Sequence, residues 1–185
     1  VTLRFVVGCQ GNSMQILVEG KADRKFVWDY LHHLDVFMDA EPMITAMNGY
    51  TLLPQYGNEI AREHDLGGKT LVLLDANSNP DAKRHMVAEI EKRVAVPIPL
   101  FLFPNNADEG ALEDLLVDIV NPLHRSILAC FDRYQECLGA DEVHSYTLPG
   151  KKARIYAYCE AVLSASDKDK IQEDHRDYRD RELWN

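Results

Sequence analysis

The chain has 185 residues, of which 46% are hydrophobic, and this composition fits one globular domain with a substantial core. Its formal net charge of −10 argues against a protein that holds nucleic acid through a broad basic face. A substrate that carries phosphate would need a local positive charge, which a divalent cation bound by carboxylates can supply. No apolar run approaches the roughly 18 residues of a membrane-spanning helix, and no secretory leader is recognised, so we expect a cytoplasmic protein without membrane contact.

The N-terminal part of the chain predicts an extension followed by a strand and a helix. Residues 1–13 contain one candidate strand, Leu3 to Val7, and we treat this segment as an extension or an extra strand. The compact domain is expected to begin at Met14 with a strand. Apolar residues then recur at helical spacing from Ala22 to about Leu34, which predicts an amphipathic helix after that strand.

The middle of the chain alternates predicted strands with predicted helices. Strands are expected at 43–47, 70–74 and 99–103, and a helix at 57–64. Asn79-Pro80 is a typical helix start, because Asn is a good N-cap and Pro is favoured at the first helical position. This alternation implies parallel βαβ crossovers.

After Gly110 the pattern becomes helical, and from Ser164 onward it becomes highly charged. We therefore expect an α/β domain at 14–163, with a mainly parallel central sheet of about four strands, helices on both faces and additional C-terminal helices. Residues 164–185 are expected to form a charged, solvated or loosely ordered tail, with Leu183-Trp184 as its anchor.

Acidic residues directly follow two of the apolar runs. Glu19-Gly20 comes after Gln15 to Val18, and Asp75-Ala76-Asn77 comes after Leu71 to Leu74. Short, wholly apolar runs are typical of strands buried on both faces, and open α/β sheets bind ligands beyond the carboxyl ends of their strands. Both carboxylates are therefore expected in one crevice.

These carboxylates predict a metal site. Carboxylate oxygens suit Mg²⁺, which usually takes one or two protein carboxylates and completes its shell with water and phosphate. A further acidic segment, residues 108–114, follows the fourth predicted strand, and Glu113 lies beside the apolar face of its helix. Two ions about 4 Å apart would suit phosphodiester hydrolysis. Asp23, Asp81 and Glu109 have a simpler explanation, because helix starts favour acidic residues.

Three segments in this order resemble the motifs of the Toprim family of primases, topoisomerases and nucleases. They are Val18-Glu19-Gly20-x-x-Asp23, Leu73-Leu74-Asp75-x-Asn77 and Phe103-Pro104-Asn105-Asn106-x-x-Glu109-Gly110-x-Leu112-Glu113-Asp114. The third segment is similar to that of Toprim-like proteins related to the overcoming-lysogenisation-defect nucleases, which include small stand-alone members of uncharacterised function. The resemblance covers roughly Met14 to Val162.

The resemblance implies roles for individual residues. Glu19 would be a general base or a metal ligand, and Lys151 or Lys152 would correspond to a later lysine that stabilises charge on a phosphate. Asn77 stands where the family usually has a second Asp, so metal affinity should fall. The complete set of expected metal ligands is Glu19, Asp75, Asn77, Glu109, Glu113 and Asp114.

The leading functional expectation is a protein that uses Mg²⁺ or Mn²⁺ to cleave phosphodiester bonds in nucleic acid. Related multidomain nucleases carry an ATPase and none is recognised in this sequence, so any ATPase partner would be a separate protein. The alternative is a catalytically weakened binding or regulatory module that recognises a phosphate-bearing ligand or a partner protein.

Two other interpretations fit less well. A receiver-like domain with Asp75 as phospho-acceptor needs a paired acidic cluster after the first strand, and Glu19-Gly20 does not provide one. Gly67-Gly68-Lys69-Thr70 is similar to the end of a phosphate-binding loop, but position 63 is Glu where that loop needs Gly.

Overall fold

The computed structural model describes residues 13–34 and 42–185, so the candidate strand at 3–7 lies outside the described residues. In chain order the elements are β1 (Met14–Val18), α1 (Lys21–His33), β2 (Met43–Ala46), α2 (Gly57–Asp65), β3 (Lys69–Asp75), α3 (Pro80–Val94), β4 (Leu100–Phe103), α4 (Leu112–Asp118), α5 (Arg125–Gly139) and α6 (Lys151–Val162). Shorter 3₁₀ helices lie at Tyr50–Tyr56, Pro122–His124 and Ala165–Ile171. None of the helices in these ranges combines the length and apolar character needed to cross a bilayer.

The four strands form one parallel sheet in the order β2-β1-β3-β4. The predicted fold class, α/β with a parallel central sheet of about four strands, is thereby confirmed. Val18 pairs with Ala46 of β2 on one side and with Leu73 of β3 on the other. From β1 the chain moves outward to β2 and then crosses back to β3. The direction of winding therefore reverses between the two central strands.

Helices cover both faces of the sheet. Leu102 belongs to a buried cluster with residues of α2 and α3, including Ile60, Val87 and Ile90. Phe103 is the next residue along β4 and points to the other face, since side chains alternate along a strand. Its ring contacts Phe26 of α1 edge-on, with centroids 5.9 Å apart. The central strands are consequently buried on both sides, which explains why the runs Ile16 to Val18 and Leu71 to Leu74 are wholly apolar.

Two helix starts are built by short polar residues. The Asn79 side chain accepts a hydrogen bond from the Ala82 N–H at 3.0 Å, and Pro80 is the first residue of α3, as the sequence predicts. At the start of α1 the Asp23 carboxylate accepts the Gly20 N–H at 2.6 Å. Asp23 therefore acts as a helix cap.

The described chain divides into two compact units, one ending at Leu112 and the other spanning Glu113–Asn185. In the second unit the Arg154 guanidinium pairs with Asp132 at 2.8 Å and links α6 to α5. The segment after Ser164 belongs to this unit, and Leu183 and Trp184 are buried in it, which confirms them as an anchor. The division into a domain at 14–163 and a C-terminal tail at 164–185 stays a prediction.

The C-terminal segment is attached to α6 through Tyr158. The buried Tyr158 hydroxyl donates a hydrogen bond to the Leu183 carbonyl at 2.5 Å. The centroids of the Tyr158 and Trp184 rings are 5.7 Å apart. Burial raises the pKa of Tyr158 to about 12. The folded protein therefore needs this phenol in its neutral form.

We expect the free energy of unfolding to fall at high pH because of Tyr158. The stabilisation is fully present below the unfolded pKa of about 10 and is lost as pH rises towards the folded pKa. Urea unfolding at several pH values, followed by Trp fluorescence, measures the decline. Tyr158→Phe should show a smaller decline than wild type, whereas Tyr134→Phe, at an exposed position, should keep the full decline. An unchanged decline in Tyr158→Phe would contradict this assignment.

Candidate functional site

Glu19 and Asp75 lie at the same edge of the sheet. Glu19 is the first residue after β1, and Asp75 is the last residue of β3. These strands are parallel neighbours with Val18 opposite Leu73, so their carboxyl ends meet. The winding of the sheet reverses at this point, which is where open α/β sheets form a ligand crevice. The structure thus places the two residues that the sequence singled out at the carboxyl ends of neighbouring strands, and convergence of their carboxylates on one ion stays a prediction.

The Glu19 carboxylate has a cationic partner that sequence reasoning missed. The side chain of Glu19 is 22% exposed, and its Oε2 lies 3.5 Å from Nζ of Lys83 in α3. Lys83 itself is only 4% exposed. Its Nζ lies 3.2 Å from the centroid of the Tyr50 ring, which places a cation–π contact on the ammonium as well.

One sequence signal could have identified Lys83. It precedes Val87 and Ile90 by four and seven residues, so it lies on the buried face of α3. A lysine on the apolar stripe of an amphipathic helix needs a partner within the protein, because burial of an unpaired ammonium is costly. In this chain that partner is Glu19.

Asp75 is fixed by the segment that follows β4. Its Oδ1 accepts the backbone N–H of Leu112 at 2.9 Å. Asn77 and Gly110 form an antiparallel bridge, in which the Asn77 N–H donates to the Gly110 carbonyl at 2.6 Å and the Gly110 N–H donates back at 3.0 Å. The third acidic segment is therefore joined to the loop after β3 by backbone hydrogen bonds.

Asn77 and Glu109 are both exposed. Asn77 has a left-handed backbone with φ of 51°, a conformation that Asn and Asp adopt more readily than other residues with a side chain. Glu109 directly precedes Gly110 of the bridge, so the backbone brings it to the loop that carries Asn77. Coordination of a metal by either residue stays a prediction.

The remaining predicted site residues lie in the second unit, where they pair with one another. Lys151 Nζ lies 2.7 Å from Asp114 Oδ2, and Lys152 Nζ lies 4.0 Å from Glu113 Oε1. The two predicted lysines and the two predicted acidic residues thus connect α6 to α4. Their participation in a site with the residues of the first unit stays a prediction.

The donor groups at this edge of the sheet limit the kind of divalent-ion site that the chain can form. Within residues 13–34 and 42–185, no three side chains of His, Cys, Asp or Glu are grouped closely enough to hold a metal. Mg²⁺ needs only one or two protein carboxylates when water and phosphate complete its shell, so one carboxylate at this edge, Glu19 or Asp75, already meets that minimum. The Lys83 ammonium opposes such an ion, because like charges repel. The arrangement therefore fits one weakly held ion better than two.

A model of the family described as "Protein of unknown function (DUF3226)" matches residues 13–169 of the chain. The match covers most of the sequence, and the chain therefore belongs to this family. Searches among curated proteins and among solved structures gave no match. The matched range includes Glu19, Asp75 and Lys83.

The hydrogen bond of Asp75 predicts different effects of two substitutions. Asp75→Asn keeps an oxygen that can accept the Leu112 N–H, whereas Asp75→Ala leaves that N–H without its side-chain acceptor. We expect Asp75→Ala to lower the free energy of unfolding by about 1–3 kcal/mol and Asp75→Asn by less than about 1 kcal/mol. Urea denaturation measures both values. Equal losses would show that the hydrogen bond contributes little, and Asp75→Asn is the variant suited to functional tests.

Proposed function

We propose that the chain is a Toprim-like protein that uses Mg²⁺ or Mn²⁺ to cleave phosphodiester bonds in nucleic acid. One observation supports this proposal above others: Glu19 and Asp75 lie at the carboxyl ends of neighbouring central strands, where the winding of the sheet reverses. In α/β proteins this is the place where phosphate-bearing ligands bind. The resemblance of the three acidic segments to Toprim motifs supports the same site.

The environment of Asp75 supports its role as a metal ligand. Protein carboxylates that bind metals are commonly oriented by a further hydrogen bond, and the Leu112 N–H supplies one to Asp75. This hydrogen bond joins the end of β3 to the start of α4, and it holds the Asp75 carboxylate in one orientation. An oriented carboxylate loses less conformational freedom when it binds an ion.

Glu19 is suited to accept a proton from water. Its side chain is partly exposed, and the Gly49 N–H donates a hydrogen bond to its backbone carbonyl at 3.0 Å, which fixes the loop that carries it. A bound Mg²⁺ would supply polarisation of a phosphoryl oxygen. Glu19 would remove a proton from the attacking water as the water oxygen bonds to phosphorus. The ester P–O bond would break, and the leaving sugar oxygen would take a proton from solvent.

Cleavage of nucleic acid tests the proposal. We expect the purified chain to nick plasmid DNA or cleave RNA with Mn²⁺, and Glu19→Gln to lower the rate by about 100-fold or more, since a general base contributes at least that much. Glu89→Gln removes the same charge from an exposed position on α3 and should keep the wild-type rate. The enzyme proposal fails if no cleavage occurs, or if Glu19→Gln cleaves as fast as wild type.

A second candidate function is a binding or regulatory module that has lost most of its catalytic power. Two observations favour it: an amide stands at position 77 where the Toprim pattern has a carboxylate, and Lys83 lies beside Glu19. Both features, the amide at position 77 and the Lys83 ammonium, reduce the attraction of this edge for a divalent ion. Such a module would still recognise a phosphate-bearing ligand or a partner protein.

Asn77→Asp distinguishes the two candidates. Asp tolerates the left-handed backbone at position 77 and adds a negative charge, so we expect Mn²⁺ affinity and cleavage to rise several-fold if the site is active but weakened. Asn58→Asp adds the same charge to an exposed position of α2 and serves as the control. Calorimetry measures metal binding, and the nicking assay measures the rate. Tighter metal binding without any cleavage would favour the binding module.

A further inference from the structure

Lys83 is a buried cation at the edge of the sheet where Glu19 and Asp75 lie. Only 4% of the residue is exposed, and the same face of α3 carries the core residues Val87 and Ile90. A buried ammonium is tolerated when charged or polarisable groups replace its water shell. The groups that surround the Lys83 ammonium therefore have to stabilise its charge.

Two segments that follow strands of the sheet supply these groups. The Glu19 carboxylate, which follows β1, lies 3.5 Å from Nζ of Lys83, and the Tyr50 ring, which follows β2, has its centroid 3.2 Å from the same atom. The contact to Glu19 is longer than the roughly 2.7–2.9 Å of a strong charge-assisted hydrogen bond. The ammonium is thus shared between an anion and an aromatic face.

We propose that Lys83 is the resident cation of the Glu19 carboxylate and that a divalent ion must compete with it for this carboxylate. Lys83 would thereby set the metal affinity of the site. This inference rests on the proposed function, because the competing ion is the one that cleavage requires, and it gives Glu19 the role of metal ligand that the Toprim resemblance implies as the alternative to general base. The chemical basis is electrostatic: an ammonium and a divalent ion that approach the same carboxylate repel each other strongly at separations of about 4 Å.

Competition with a lysine has one direct consequence. When the ammonium is replaced by a neutral group of similar length, Glu19 keeps its negative charge and loses its neighbouring positive charge. The carboxylate should then attract a divalent ion more strongly. A purely structural role for Lys83 predicts no such gain, because a loosened fold does not create a tighter metal site.

Mn²⁺ binding to the full chain tests this inference. We expect Lys83→Met to bind Mn²⁺ about tenfold more tightly than wild type, as measured by calorimetry and by electron paramagnetic resonance of the unbound ion. Lys83→Arg keeps the positive charge and should retain the weak wild-type affinity. Lys92→Met removes a positive charge from an exposed position of α3 and should change nothing. The gain should disappear in the double variant Lys83→Met/Glu19→Gln.

A second neutral variant guards against a folding defect. Lys83→Gln can donate a hydrogen bond to Glu19, and the same gain in affinity is expected of it; circular dichroism identifies which variants are folded. Unchanged Mn²⁺ affinity in a folded neutral variant overturns the inference, and so does a gain that persists without the Glu19 carboxylate. Absence of a folded neutral variant also overturns it, since Lys83 would then be a structural requirement.

The outcomes separate this inference from the proposed function. Cleavage that depends on Glu19, together with unchanged metal affinity in the neutral variants, leaves the nuclease proposal standing and removes the role of Lys83. A gain in Mn²⁺ affinity that depends on Glu19, with no cleavage by any variant, supports the role of Lys83 and removes the nuclease proposal.

Discussion

The parallel pairing of β1 with β3 is the constraint on which the candidate site depends, because its register determines where Glu19 lies relative to Asp75 along the strand direction. The middle of each strand is apolar on both faces, so alternation of polar and apolar residues does not specify their register there. Polar residues at the opposite edge of the sheet do. Gln15 and Thr70 are register partners, and the Thr70 hydroxyl donates a hydrogen bond to the Gln15 side chain at 3.0 Å.

This polar contact is also connected to α2, because the Gln15 side chain donates a hydrogen bond to Glu59. The three groups would be left without these partners if β1 slipped by one residue, and burial of unsatisfied polar groups is costly. The amino edge of the sheet thus specifies the geometry of the carboxyl edge, where the ligand crevice is expected.

Sequence reasoning located the strand ends well, for a physical reason. The part of a strand that is packed on both faces favours apolar residues, so the first carboxylate after such a run marks the end of the strand, as at Glu19 and Asp75. The start of α3 was equally visible, since Asn79 and Pro80 act through local backbone geometry.

Long-range contacts could not be predicted in this way. The Lys83–Glu19 pair joins residues far apart in the chain, and composition alone treats a lysine as a surface residue. The Asn77–Gly110 bridge depends on the path of two loops rather than on any local motif. Because the composition after Ser164 is highly charged, it did not predict that the side chains of Arg176 and Tyr178 are buried, although Leu183-Trp184 indicated an anchor.

The charges at the carboxyl edge explain how an acidic chain could still approach a phosphate. Glu19, Asp75 and Lys83 together carry two formal negative charges and one positive charge, and Asn77 adds none. A third carboxylate in place of the amide would attract a divalent ion more strongly, but it would also repel a phosphodiester until that ion was bound. The lysine lowers both effects at once. Under the proposed function, such an edge would bind an ion and a phosphate together better than either one alone.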